Sequence, residues 1–222
     1  ERDIPALQLA GREVSISEVL RGLPKLRSGI TQRKDCPQEW RSALEQLLNS
    51  GAVKGMPREY YEPVSEVIRI TLDRIRHRCP IRGGEFMPSV VLPPYKEDWF
   101  LDDRIGGVLN HASRPHMASD LRRYLFAAAY AKAFGRSPEL KDFPKGLLPA
   151  HRNVSAPGKE AYFDDRFRVQ VANRPATTIT CHIAKDGHYY IHYDASQCRS
   201  LTVREAARVQ TFPDNYFFCG SR

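Results

Sequence analysis

Three stretches of helical apolar spacing, separated by proline- and glycine-rich breaks, constrain this chain more than any other feature of it. Pro37 stands where a helix N-terminus favours proline, and Trp40, Leu44, Leu47 and Leu48 then recur at helical spacing until Asn49-Ser50-Gly51. From about Pro63 the apolar positions Val64, Val67, Ile68, Ile70, Leu72 and Ile75 continue to Arg78, after which Cys79-Pro80 and Gly83-Gly84 break the run. Met117, Leu121, Tyr124, Leu125, Ala128 and Ala129 make the third stretch, with Ser119-Asp120 and Arg122-Arg123 on its polar side and Gly135 at its end. The spacing predicts helices over 37–50, 63–78 and 116–135. A chain of 222 residues is long enough to bury a sizeable core as one large domain or two small ones.

Residues 1–14 read as mixed and extended. Ser15 and Glu18 then stand at capping-box spacing and open a short helix through Val19 and Leu20, closed by Gly22 and Pro24. Residues 83–110 read as irregular, because Pro88, Pro93 and Pro94 forbid regular ladders, with Trp99, Phe100 and Leu101 tucked into a core. Prolines again break the chain from Ser137 to Gly158. From Phe163 onward the residues favour strands: Phe167–Val171, Thr177–Thr180 and His188–Tyr193, the last two joined by a hairpin turn at Asp186-Gly187. The expected class is α+β, helix-rich over 1–150 with a small mixed or antiparallel β region over 160–198.

Lysine and arginine number 34 against 26 acids, giving a formal charge of +8 and a pI near 9.4, a balance that suits a polyanionic partner. Arg69, Arg74, Arg76, Arg78 and Arg82 gather at the end of the second long helix against the single acid Asp73, more cations than a helix dipole needs, which predicts a phosphate-facing surface. No apolar run approaches the roughly 20 residues that span a bilayer, and no apolar stretch follows Glu1-Arg2-Asp3, so a cytoplasmic protein without a membrane partner is expected. The five cysteines (Cys36, Cys79, Cys181, Cys198, Cys219) are scattered and lack Cys-x-x-Cys spacing, which indicates neither a disulfide framework nor a zinc ribbon. His188, His192 and Asp194 could share one face of a strand and mimic a metal site, but two histidines beside tyrosines fit a polar sheet face better.

The C-terminal stretch from Arg199 to Ser221 carries the strongest functional signal. Thr202 and Glu205 form a second capping-box pair, Pro213 supplies the stop, and Leu201, Ala206, Val209 and Phe212 can bury one side of a short helix. Arg199, Leu201, Thr202, Arg204, Glu205, Ala207, Arg208, Gln210, Phe212, Pro213, Asp214 and Tyr216 closely resemble the ninth ordered motif of DNA cytosine-5 methyltransferases. The resemblance implies an intact enzyme that transfers methyl from S-adenosylmethionine to C5 of a cytosine rotated out of the duplex, in a restriction-modification setting. Such an enzyme attacks C6 with a thiolate from a Pro-Cys loop, yet none of the five cysteines follows a proline. The Phe-x-Gly-x-Gly cofactor loop, the Glu-Asn-Val triplet, the Gln-x-Arg-x-Arg strand and the closing Gly-Asn-x-Val-Pro motif do not occur in the sequence either.

In the family's layout, the variable target-recognition region precedes the ninth motif. The resemblance therefore implies that residues 1–198 are that region and 199–222 the motif segment leading back to a catalytic domain that this sequence does not contain. Arg174-Pro-Ala-Thr-Thr-Ile-Thr180 is similar to the Thr-Ile/Leu element found toward the end of such regions. On this reading the chain binds double-stranded DNA through Arg168, Arg174, Thr177, Thr178, Thr180, His182 and Lys185, while Arg204, Glu205 and Arg208 organise the motif internally. The chain alone would be inactive, hold no cofactor and bind no metal. Two alternatives stand beside it: a non-enzymatic basic helical module that binds a protein partner, and a metal-dependent nuclease using His188, His192 and Asp194.

Overall fold

The computed structural model describes residues 11–89, 95–149 and 166–220. Its class is α+β: helices α1 (Ile16–Leu20), α2 (Pro37–Asn49), α3 (Arg58–His77), α4 (Glu97–Phe100), α5 (Ala118–Phe134) and α6 (Val203–Val209) accompany two small two-stranded sheets. Strand β1 (Gly29–Ile30) pairs in parallel with β4 (Pro115–His116). Strands β2 (Gly83–Pro88) and β3 (Gly107–Ala112) pair antiparallel, from Gly83 opposite Ala112 to Pro88 opposite Gly107. Expectations that fall on Pro93, Pro94 and Phe163 lie outside the described residues.

Helices α2, α3 and α5 pack together because their apolar stripes have nowhere else to go. Trp40, Leu44 and Leu47 from α2 and Val64, Ile68 and Ile75 from α3 meet Leu121, Tyr124 and Leu125 of α5. Every residue of α5 from Tyr124 to Ala131 is buried, so this helix is covered on all sides, as an apolar centrepiece must be. It ends where Gly135 adopts the left-handed conformation (φ 66°), which costs glycine little. A smaller cluster of Ile16, Leu20, Tyr190 and Leu201 joins α1 to the segment before α6.

Several expectations are corrected. Helix α3 starts at Arg58, ahead of Pro63; the proline is exposed, so the carbonyl deprived of its N–H partner lies on the solvent side. Asp120, expected on a polar face, is buried and accepts from Arg123 at 2.8 Å. Residues 83–112 contain a regular antiparallel pair instead of an irregular run. Pro88 is the last paired residue, where a missing donor costs little. Gly83 and Gly107 permit the close approach, since a Cβ at either would lie 2.0 Å from the His111 carbonyl oxygen or 2.4 Å from that of Met87. Of Trp99, Phe100 and Leu101, Phe100 is buried, whereas Trp99 is 55% exposed and Leu101 is only half-buried.

The strands expected at 167–171, 177–180 and 188–193 are reduced to isolated bridges, Val169 with Ile191 and Ile191 with Ser200. Side chains take the place of ladder partners here. Thr177 N–H donates to Gln170 Oε1 (3.0 Å) and Thr180 N–H to the Tyr190 hydroxyl (3.2 Å). Asp186 accepts from His188 N–H (3.0 Å), which turns the expected Asp-Gly hairpin into a 3-10 turn over Gly187–Tyr189.

Candidate nucleic-acid interface

Helix α6 is built as its sequence requires. Thr202 Oγ1 accepts from Glu205 N–H (3.2 Å) while Glu205 Oε2 accepts from Thr202 N–H (2.8 Å), closing the capping box. The Glu205 carboxylate is wholly buried and meets Arg199 in a two-pronged pair, Nη1 to Oε2 at 2.6 Å and Nη2 to Oε1 at 2.7 Å. Burial alone would raise the Glu205 pKa, but the charge and hydrogen bonds of Arg199 outweigh it and hold the carboxyl well below its usual range. Arg199 also donates to Gln197 Oε1 (2.6 Å) and to the Leu26 carbonyl (3.2 Å), so its fork is saturated.

Two histidines complete this network, both neutral. His111 Nε2 lies 2.8 Å from the Pro24 carbonyl and Nδ1 lies 2.9 Å from the Thr202 hydroxyl, a pattern that assigns the proton to Nε2. His192 Nδ1 accepts from Asp194 N–H (2.9 Å), which leaves Nε2–H facing Glu205 Oε1 at 3.4 Å. Burial lowers the pKa of each ring to about 4, against the attraction of Glu205.

The remaining motif cations are spent on the chain itself. Arg204, fully buried, donates to the carbonyls of Leu109 (2.9 Å), Pro213 (3.0 Å) and Tyr216. Arg208 forms a two-pronged pair with Asp214 and donates to the Val19 (3.4 Å) and Arg21 (3.2 Å) carbonyls, satisfying the orphan acceptors at the end of α1.

Above this network the segment 174–185 faces solvent. Arg174, Thr178, Thr180, His182 and Lys185 are exposed and Thr177 is half-buried. The fold thus gathers six of the seven expected DNA contacts on one continuous stretch. Arg168, also exposed, lies outside it, where its backbone exchanges hydrogen bonds with His188 and Ile191 (2.9 and 3.0 Å). Thr177 Oγ1 accepts from Gln170 Nε2 (2.8 Å) and Thr180 Oγ1 lies 2.8 Å from the Tyr190 hydroxyl, so these two threonines are tied inward. Gln210 Nε2 donates to the Ile179 carbonyl (3.2 Å), and Arg114 donates to those of Ile183 (2.7 Å) and Ala184 (2.6 Å). Of these supporting residues only Gln210 sits in a recognisable string; Arg114 and His111 act across long sequence separations, and Gln170 and Tyr190, 7 and 10 positions from the threonines they hold, belong to no local motif.

Two expected surfaces are not as the sequence suggested. Three of the five α3-end arginines have acidic partners: Arg69 with Glu66 (2.7 Å), Arg76 with Glu45 (3.0 Å) and Arg82 with Asp35 (2.6 Å). Two of these acids, Glu45 and Asp35, come from other elements and are invisible in a linear charge run. His188 donates to or accepts from the Tyr124 hydroxyl (2.7 Å) and His192 turns toward Glu205, so no strand face presents them together. Among the described residues no group of three His, Cys, Asp or Glu could hold a metal ion.

Residues 121–222 match the model of the C-5 cytosine-specific DNA methylase family. The match covers the C-terminal part of the chain, a little under half of it. Among relatives of this chain, the Type II methyltransferase M.Bpa9945I of Bacillus paralicheniformis is 45% identical over 131 residues, which are 59% of this chain and 27% of that protein. Type II methyltransferase M.AgeI of Thalassovita gelatinovora is 38% identical over 60 residues, 27% of this chain and 14% of that protein. The putative Type II methyltransferase M.OihORF3336P of Oceanobacillus iheyensis is 34% identical over 56 residues, 25% of this chain and 12% of that protein. The chain therefore spans about a quarter or less of the length of these curated relatives. No solved structure matches it, and no helix among the described residues is long and apolar enough to cross a membrane.

Proposed function

We propose that this chain is the DNA-recognition portion of a cytoplasmic DNA (cytosine-5) methyltransferase and is catalytically incomplete by itself. The observation that carries the reading is the contrast within one small region. The motif arginines and Glu205 are buried and saturated, while the adjoining segment 174–185 holds its polar side chains out on an internally braced scaffold. In this role Arg168, Arg174 and Lys185 contact phosphates, and Thr178 and His182 reach base edges in the major groove. Thr177 and Thr180 support the loop from within, and Arg204, Glu205 and Arg208 hold the motif together.

In the intact enzyme, S-adenosylmethionine supplies the methyl group. The residues present here do not fit that cofactor: in Gly106-Gly107, the nearest approach to a glycine loop, the second glycine is crowded by the Phe86 ring, 2.6 Å from where its Cβ would stand. A groove of about 550 Å³ between α6 and the 179–184 loop, lined by Ile179, Ile183, Leu201, Val203, Phe212 and Phe218, is the surface assigned to the rest of the enzyme. Its apolar lining and the small share of its relatives that the chain spans support that assignment.

The test has two parts. The chain is expected to transfer no methyl from labelled S-adenosylmethionine to duplex DNA; appreciable transfer would overturn the claim that its catalytic part lies elsewhere. Its affinity for duplex DNA should fall steeply between low and physiological salt, and a flat response would remove the phosphate contacts.

A further inference from the structure

The loop that carries His182 and Lys185 has little regular structure of its own, and its tip is held by one side chain from a distant part of the chain. The turn Cys181–Ala184 is a single 3-10 turn whose last carbonyls have no continuing helix to accept from. Arg114 fills that gap, with Nη1 donating to Ile183 O (2.7 Å) and Nη2 to Ala184 O (2.6 Å). Its root is fixed as well, since the Arg114 carbonyl accepts from Gly29 N–H (3.1 Å) beside the β1–β4 pair. The other end of the turn is held by the Tyr190 hydroxyl at Thr180 (2.8 Å to Oγ1, 3.2 Å to N).

We infer that Arg114 is a positioning residue for sequence discrimination: its planar fork fixes the Cys181–Ala184 turn so that His182 and Lys185 meet a base edge and its phosphate in one register. A guanidinium can hold two carbonyls at once in a fixed plane, whereas an ammonium is a point charge on a flexible stem. Arg114→Lys therefore keeps the charge and loses the geometry. This inference rests on the recognition reading above.

The experiment uses the whole chain and a pool of random-sequence duplex DNA, with wild type, Arg114→Lys and Tyr190→Phe compared. Wild type is expected to enrich a subset of the pool. Arg114→Lys should retain bulk duplex affinity and its salt dependence while enrichment falls about tenfold. Amide exchange at Ala184–Gly187 should accelerate in the free protein with the α5 amides unchanged, which separates loop release from misfolding. Tyr190→Phe, which keeps the buried ring and removes only the hydroxyl, should lower enrichment in the same sense. Unchanged enrichment despite faster loop exchange overturns the inference, and so does unchanged exchange. If wild type enriches nothing while its loop is well protected, the recognition reading itself has failed and the inference falls with it.

Discussion

The α6 segment and the 174–185 loop adjoin in space, carry comparable polar content and treat it in opposite ways. In and just before α6, Arg199, Glu205 and Arg208 are stripped of water and matched atom for atom. In the loop, the backbone is braced from below and the side chains of Thr178, His182 and Lys185 are left facing solvent. A motif that is strongest as a string is thus strongest because its residues must satisfy one another; the variable-looking loop is where an external partner can be met. The comparison breaks if the buried charges prove dispensable for folding, or if the loop charges prove necessary for it.

The largest effect belongs to Glu205. Replacing it by Gln leaves the Arg199 guanidinium buried without a counter-charge, which should cost about 3–5 kcal/mol of unfolding free energy in urea titrations. A loss below about 1 kcal/mol would mean that the network is ornamental.

Acid should attack the same region through its histidines. His111 and His192 have pKa values lowered by burial to about 4 from an ordinary 6.5. The unfolded chain takes up these protons first, so the stability each neutral ring contributes is fully present above pH 6.5 and is lost as pH falls toward 4. Between pH 7.5 and 5 each ring should account for about 2 kcal/mol. His192→Gln should therefore lose about 2 kcal/mol less than wild type over that interval. Parallel stability curves for the two proteins would show that His192 already carries a proton in the native state.

On the loop side, Arg174→Ala and Lys185→Ala should change stability by less than about 0.5 kcal/mol, since both residues are exposed. Each should reduce the slope of log affinity for duplex DNA against log salt by about 0.9, the signature of one phosphate contact. Substantial unfolding in either variant would erase the distinction between the two regions.

What the sequence disclosed and withheld follows the same division. Helices α1, α2, α5 and α6 were legible because capping boxes, a first-turn Pro37 and a terminal Gly135 are local signals backed by apolar periodicity. The β2–β3 pair was hidden because prolines argue against strands wherever they stand, and only the partner strand reveals that Pro88 occupies the harmless last position. The strands read at 167–193 failed for the converse reason: β-favouring residues were present, but Gln170 and Tyr190 side chains claimed the backbone groups a ladder would need. At the site, Arg204, Glu205 and Arg208 could be read as a string, but the depth of their burial and the roles of Arg114 and His111 depend on residues 69 to 189 positions away.

The smallest effect expected is at the end of α3, and it tests whether a charge run read from sequence carries meaning once the fold is known. Arg76 lies on the surface, its side chain 61% exposed, and meets Glu45 of α2 at 3.0 Å. An exposed pair of this kind contributes only about 0–1 kcal/mol, because water already solvates both ions and ordering two long side chains costs entropy. Arg76→Ala should shift the unfolding free energy by no more than that. Its positive charge is also compensated by Glu45 at hydrogen-bond distance, so removing it should leave the salt slope of DNA binding within about 0.3 of wild type, well short of the change of about 0.9 expected for a phosphate contact. Arg74, exposed on the same helix, has no such acid beside it among the described residues. If Arg76→Ala flattens the salt dependence as much as Lys185→Ala does, DNA lies across the helical layer as well as the loop, and the exposed partner-facing region must be extended to include α3.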